Sequence, residues 1–280
     1  WPKAMIAGRA KPVWLKSGYE FVDISQFECV RDLLNKTMPD IIINTAALSS
    51  TRESFDKIPE TFRVNLLGPI YIMDWIKDNK PDTKFIHCSS IEIYKPRPVD
   101  ITIKNDSLTY ETIRDEQSMK FSATPYGKSK IAAQDMVDLY RHIYDLDVSC
   151  AVFGNFESKM RDGRFMTAKV VNYVKQLRSF YLEHIADFIK SPQNGYASVS
   201  TATQVISPKF NKYKKLQLGN VNAIRSYMHA KDAARAIACI ISSDKTGYWV
   251  FAGQQSLSVR QFVERVFELA EIPQLNFMWE

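Results

Sequence analysis

Tyr126 and Lys130 stand four residues apart in the segment Tyr126-Gly-Lys-Ser-Lys130. On a helix, residues at i and i+4 share one face. A lysine ammonium beside a phenol lowers the phenol's pKa toward neutrality, so the phenolate becomes a usable base. Ser89-Ser90 lies upstream, at the end of a run that reads as a strand. Open α/β sheets gather their ligands at such strand ends. The bare Tyr-x-x-x-Lys spacing arises readily by chance in a chain this rich in both residues. A purely structural role stays open, and the surrounding elements must decide.

Those elements alternate. Ser25-Gln-Phe-Glu28 reads as a capping box that opens a helix running to about Lys36. Ile41-Ile42-Ile43 reads as a fully buried strand, as in a parallel sheet covered on both faces. Phe55 to Asp78 has helical spacing, Lys84–Cys88 is the next strand, and residues 95 to 124 read as a polar surface excursion. Helical spacing resumes from Pro125 to Tyr144, and Asp147–Phe153 is a third buried strand. Repeated strand–helix alternation predicts an α/β fold with a Rossmann-like, doubly wound parallel sheet. Further on, helices are expected over Phe165–Arg178, Ala230–Ser242 and from the capping box Ser258–Gln261 to Ala270. Short strands are expected at Lys215–Leu218 and Tyr248–Phe251, whereas residues 179–213 have no clear pattern. The expected division is a Rossmann-like domain over 1–155 and a smaller substrate lobe over 156–280, with some elements interleaved.

Composition narrows the classes. The chain has 280 residues, 45% hydrophobic and 24% charged, with a net charge of +6. That is ordinary for a globular protein and far from collagen-like or disordered sequences. No stretch approaches the roughly 20 apolar residues of a membrane-spanning helix. Lys and Arg are scattered among Asp and Glu, with no basic cluster interleaved with aromatics, so nucleic acid is not expected as a partner. Cys29, Cys88, Cys150 and Cys239 form no C-x-x-C pair and read as buried free thiols of a reducing compartment. The four histidines lack metal-ligand spacing, and no metal is expected. Glycine is scarce, at 10 in 280, and the closest pair is Gly247 and Gly253. No glycine-rich G-x-G-x-x-G turn therefore exists in this sequence.

With these elements placed, the chain resembles the extended, nucleotide-sugar-modifying branch of the short-chain dehydrogenase/reductase superfamily. Asp23-Ile24-Ser25, Asn44-Thr-Ala-Ala47, Val64-Asn65-Leu-Leu-Gly68, Ser89-Ser90 and Tyr126…Lys130 appear in that superfamily's order. Within the branch, Ser89-Ser-Ile-Glu-Ile-Tyr94, Asn155-Phe-Glu-Ser158, Phe165-Met-Thr-Ala-Lys169, Leu218–Arg225, His229–Asp232 and Ala252–Phe262 resemble segments of the GDP-mannose 4,6-dehydratases.

The resemblance implies a redox cycle on a nucleotide sugar with NADP or NAD. Tyr126 would remove the 4-hydroxyl proton as hydride passes to the nicotinamide. Lys130 would hold the nicotinamide ribose, and Ser90 would bond the same hydroxyl. Glu92 would remove the C5 proton before water leaves from C6. Asp23, Ile24, Asn44, Ala46, Ala47, Asn65, Ser89 and Phe153 would line the dinucleotide. Asn155, Lys169, Gly219 and Arg225 would hold the nucleotide and diphosphate, where a guanidinium fork suits phosphate oxygens. An epimerase or reductase is the nearest rival reading, since epimerases of this branch need no C5 base.

Three departures stand against the pattern. Only about 22 residues precede Asp23, with Gly8 and Gly18 alone among them, so the first βαβ unit with its phosphate-cradling turn is missing or altered. Ile91 replaces a hydroxyl or acidic residue beside Glu92. Phe156 and Ala168 replace polar residues of the family pattern. A catalytically inactive structural or assembly subunit is therefore the alternative to an enzyme. The resemblance also implies a homodimer through helices at about 55–78 and 125–144, with Tyr71, Trp75, Met136 and Tyr140 facing outward. An ordinary core stripe explains those four residues equally well. Free cysteines and nucleotide-sugar chemistry imply the cytoplasm, and a chain opening on Trp1 leaves an organellar location open.

Overall fold

The computed structural model describes residues 22–95, 97–104, 107–113, 117–191, 214–253 and 255–272, with two short strand segments before them. Those segments, β1 (Ile6–Ala7) and β2 (Tyr19–Glu20), pair in parallel. The chain divides into two compact units. Trp1–Gly154 with Lys231–Ala252 form the first, and Asn155–Ala230 with Gly253–Glu280 the second.

Among the described residues, the first unit is built on an all-parallel sheet of four strands. They are β3 (Ile41–Asn44), β4 (Lys84–Ser90), β7 (Val148–Phe153) and β10 (Tyr248–Phe251), in the order β10-β7-β4-β3. All six residues of β7 are buried, as a central strand covered on both faces requires. Helix α1 (Phe27–Thr37), helix α4 (Gly68–Asn79) and helix α5 (Pro125–Tyr144) supply Val30, Leu34, Ile72, Met73, Ile76 and Val137 to a core shared with Phe85, Val148 and Val152. Each such side chain, fully buried, contributes roughly 1.5–3 kcal/mol. Helix α7 (Ala230–Ile241) adds buried Ala233, Ala236 and Ile240.

Several expectations change at this point. Ile43 is 43% exposed and not buried, because β3 is the outer strand among the described residues of this sheet. The capping box at Ser25 does not form. The Ser25 hydroxyl donates to Asp23 Oδ1 at 2.8 Å, and the helix starts two residues later without a side-chain cap. The stretch expected as one helix from 55 to 78 is broken into α2 (Glu53–Asp56), α3 (Ile58–Phe62), a π-helical turn at Arg63–Leu67, and α4. Pro59 stands in the first turn of α3, and Pro69 has no N–H to give to the Asn65 carbonyl. The polar excursion holds an antiparallel hairpin, β5 (Arg97–Lys104) with β6 (Ser107–Ile113). Cys29 and Cys239 are exposed on helices, and only Cys150 is fully buried.

The second unit has its own core. Helix α6 (Met166–Lys190) runs 12 residues beyond the Arg178 end expected from the sequence. Its Val170, Val174, Leu177, Tyr181 and Ile185 recur at helical spacing and pack with Val263 and Phe267 of α8 (Val259–Leu269). The Ser258–Gln261 capping box opens α8 as expected. Three strands, β8 (Asn155–Glu157), β9 (Ile224–His229) and β11 (Gln255–Ser258), form a small sheet in the order β11-β9-β8. β9 was not expected, and the strand expected at Lys215–Leu218 is reduced to a bridge at Leu216. The unpatterned residues 192–213 lie outside the described residues.

Gly253 is required where it stands. A Cβ there would lie 1.8 Å from the Tyr227 carbonyl oxygen. Gly253→Ala is expected to lower stability by about 1–3 kcal/mol through overpacking. An unchanged urea midpoint would contradict this packing.

Candidate active site

Helix α5 is started by local chemistry. Thr124 accepts the Gly127 N–H at 3.1 Å, and Pro125 occupies the first turn, where its missing N–H costs nothing. Gly127 lets the helix start lie close to its neighbours. A Cβ there would meet Ser122 Oγ at 2.0 Å and the Glu92 carbonyl at 3.1 Å. Tyr126 is buried. Its N–H donates to Ser54 Oγ at 3.2 Å, and its carbonyl accepts from Ser129 Oγ at 2.7 Å.

One turn on, Lys130 is 2% exposed. Its ammonium donates to the Cys88 carbonyl at 2.8 Å, near the carboxyl end of β4. Burial draws its pKa down to about 8, with the Cys88 and Cys150 thiols opposing the shift. Burial also pushes the Cys88 thiol up to about 11, which makes it a poor nucleophile at neutral pH. The next residues complete the strand end. Ser89 is buried, and its Oγ has no partner among the described residues. Ser90 Oγ accepts the Glu92 N–H at 3.3 Å and caps the 3-10 turn Ile91–Ile93. Cys88 and Glu92 therefore both meet α5 through their carbonyls, with Ser90 between them. Ile91 packs against the hydrophobic core and supplies no acid.

The loop after β3 is shaped by two buried asparagines. Asn44 Oδ1 accepts the Ala46 N–H at 3.1 Å. Asn65, fully buried in the π-helical turn, accepts the Leu48 N–H at 2.9 Å and donates to the Leu48 carbonyl at 3.1 Å and to Ser129 Oγ at 3.0 Å. Such π-turns recur at functional sites. Ala47 lies between these two anchors. Asp23 accepts from the Ser25 N–H and hydroxyl, and Ile24 fills the space above Gly68. Phe153 ends β7 and stacks on Phe251, with ring centroids 5.4 Å apart.

The other predicted residues belong to the second unit. Asn155 begins β8 and pairs with Tyr227. Lys169 is exposed, and its ammonium donates to the Gln217 carbonyl at 2.6 Å. Gly219 borders open space, and Arg225 is exposed, with one N–H given to its neighbour Ile224's carbonyl at 2.8 Å. Ser54, His87 and Ser129 were missed in the sequence. Their roles depend on hydrogen bonds between distant segments, which no local pattern carries. The Thr124-Pro125 helix start was legible.

The residues at the strand ends of the first unit suit the polar groups of a dinucleotide. A buried cation, an unpartnered buried hydroxyl at Ser89 and a fixed loop meet at the strand ends. The stretch where a pyrophosphate turn is sought lies mostly outside the described residues. Among the described residues no group of three or more His, Cys, Asp or Glu could hold a metal ion, and no helix is long and apolar enough to cross a membrane.

A parallel sheet with a tyrosine–lysine pair on the helix beside its strand ends defines a class. A model of the NAD dependent epimerase/dehydratase family matches residues 8–250, and the chain belongs to that family. This is the extended short-chain dehydrogenase/reductase group expected from the motifs. The chain is similar to GDP-mannose 4,6 dehydratase of Cricetulus griseus, at 26% identity over 268 residues, covering 95% of this chain and 59% of that protein. It thus spans well under two thirds of that relative's length. The fold is similar to UDP-glucose 4-epimerase of Thermus thermophilus in complex with NAD, with a TM-score of 0.67, 18% identity, and coverage of 94% and 71% of the two chains. It is also similar to dTDP-glucose 4,6-dehydratase of Bacillus anthracis in complex with NAD, with a TM-score of 0.64, 17% identity, and coverage of 94% and 67%.

Lys130 gives the site a stability signature. Its burial penalty is fully present below pH 8. Between pH about 8 and 10.5 the unfolded chain still binds a proton that the folded chain has released, so stability rises with pH across that window. Lys130→Met is expected to stabilise the protein at pH 7 by about 1–3 kcal/mol, an advantage that fades toward pH 10.5. A lower melting temperature than wild type at pH 7 would contradict this.

Proposed function

We propose that the chain carries the active site of a nucleotide-sugar 4,6-dehydratase acting on GDP-mannose or another nucleoside-diphosphate hexose. The observation that carries this reading is the place of Glu92. It sits in the 3-10 turn capped by Ser90 and packed at the start of α5, one residue from Tyr126 at Gly127. An epimerase on the same scaffold has no use for a carboxylate there.

A bound NAD or NADP would accept hydride from the sugar and return it. The chain's residues would do the rest. Tyr126 takes the proton of the 4-hydroxyl, and the Lys130 ammonium favours its phenolate. Ser90 donates a hydrogen bond to the same oxygen. The resulting 4-ketone acidifies the neighbouring C5–H, which Glu92 removes as the C6 hydroxyl departs. The proton that Tyr126 took from the 4-hydroxyl balances that hydroxide as water, and Glu92 returns its proton to C5 as hydride is restored at C6. Asn44 and Asn65 hold the loop against which the dinucleotide would lie. Asn155, Lys169, Gly219 and Arg225 are assigned to the nucleotide and diphosphate. Lys169 and Arg225 are exposed cations of the kind phosphates need.

The same reading includes a homodimer through α4 and α5. The support differs from the sequence expectation. Trp75 and Tyr140 are buried, bonded to Asn35 at 2.7 Å and Asp74 at 2.6 Å, and they do not face outward. Tyr71 and Met136 pack half-buried against the core. Leu139, Ile143 and Tyr144 are the exposed apolar residues of α5.

Tyr126→Phe is expected to abolish turnover of GDP-mannose, with folding and dinucleotide binding kept. Glu92→Gln is expected to block water loss by about 100-fold or more while oxidation at C4 persists. Product mass decides between readings, because dehydration removes one water and epimerisation leaves the mass unchanged. Wild-type protein that turns over no nucleotide sugar with NAD or NADP supplied would favour the inactive-subunit alternative.

A further inference from the structure

His87 is fully buried in the middle of β4, beside Asn44 on β3 and Cys150 on β7. Its ring can be assigned a tautomer from its neighbour. Asn44 Oδ1 is committed to the Ala46 N–H, so the amide's Nδ2 faces His87 Nδ1 at 3.3 Å. An amide nitrogen only donates. Nδ1 is therefore the acceptor, and the ring proton sits on Nε2, which has no partner among the described residues. Burial and the Lys130 ammonium both hold the ring neutral.

A core histidine with one satisfied nitrogen is a costly way to fill space. Its single bond closes a circuit. His87 orients Asn44, Asn44 holds Ala46, and Asn65 grips Leu48 at the other end of the same loop. Asn65 bonds Ser129, Ser129 bonds the Tyr126 carbonyl, and Lys130 returns to β4 at Cys88, the residue after His87. The loop and the tyrosine–lysine helix are thereby fixed to one another through buried side chains.

We propose that His87 is a positioning residue that, through Asn44, clamps the loop Thr45–Leu48 against the Tyr126–Lys130 helix. That this loop lines a dinucleotide rests on the function proposed above, but the clamp does not. His87→Leu removes the acceptor, while His87→Gln restores one with its side-chain oxygen.

Amide hydrogen exchange and NADPH fluorescence titration separate the two. In His87→Leu the Ala46 amide is expected to exchange about tenfold faster, the loss of one neutral hydrogen bond, and the dinucleotide Kd to rise about as much. In His87→Gln both are expected within about twofold of wild type. Ala46 exchange unchanged in the Leu variant, or equally fast in both variants, overturns the proposal. Should the Leu variant not fold, the ring nitrogen NMR shifts of the wild-type protein decide. A protonated Nε2 and a bare Nδ1 are expected, and a protonated Nδ1 overturns the proposal. A wild-type protein that binds no dinucleotide defeats the proposed function while the exchange data still judge the clamp.

Discussion

The bond from the Lys130 ammonium to the Cys88 carbonyl is the contact on which the first unit's site depends. It carries a cation into a buried position, where charge is expensive unless it is partnered. The fold accepts that cost to pin one helix to the end of one strand. Thr124 and Pro125 set where the helix begins, and Gly127 lets it lie against the Ser90–Glu92 turn. Through these few constraints Lys130 meets the last residues of β4, and the start of α5 meets the turn that follows them.

The break in the helical stretch before α4 serves the same site. A regular helix would not leave Asn65 where it can bond both backbone groups of Leu48 and the Ser129 hydroxyl. Pro69 removes one helical bond, and the π-helical turn absorbs the change. Asn65 then satisfies polar groups that would otherwise be buried without partners. The irregularity thus satisfies buried backbone and hydroxyl groups and is not a defect in a long helix.

Much of this was legible in the sequence. The apolar runs at Asp147–Phe153 and Tyr248–Phe251 placed two strands of the sheet, and the Ser258–Gln261 box placed a helix start. The Tyr126–Lys130 spacing fell on α5 and Ser89-Ser90 on the carboxyl end of β4, the elements of the candidate site. What failed was local chemistry overridden by neighbours. Ser25 found Asp23 before it could cap a helix, and Ile43 lies on the outer strand among the described residues of its sheet. The alternation of Asp-Ile-Thr-Ile-Lys104 and Ser107-Leu-Thr-Tyr-Glu was a hairpin signal that the polar composition masked. Trp75 and Tyr140 show why an apolar stripe alone does not define an interface, since Asn35 and Asp74 draw their polar atoms inward. His87 and Ser129 could not be found by spacing, because their partners come from other elements of the chain.

In the proposed function, one site oxidises and then dehydrates a single sugar. The most direct measurement supplies GDP-mannose deuterated at C4, with NAD or NADP present, and reads the product by NMR and mass. The expected product is a 4-keto sugar lighter by one water, with the deuterium moved from C4 to C6. Recovery of unchanged substrate, or a product of unchanged mass, would contradict it.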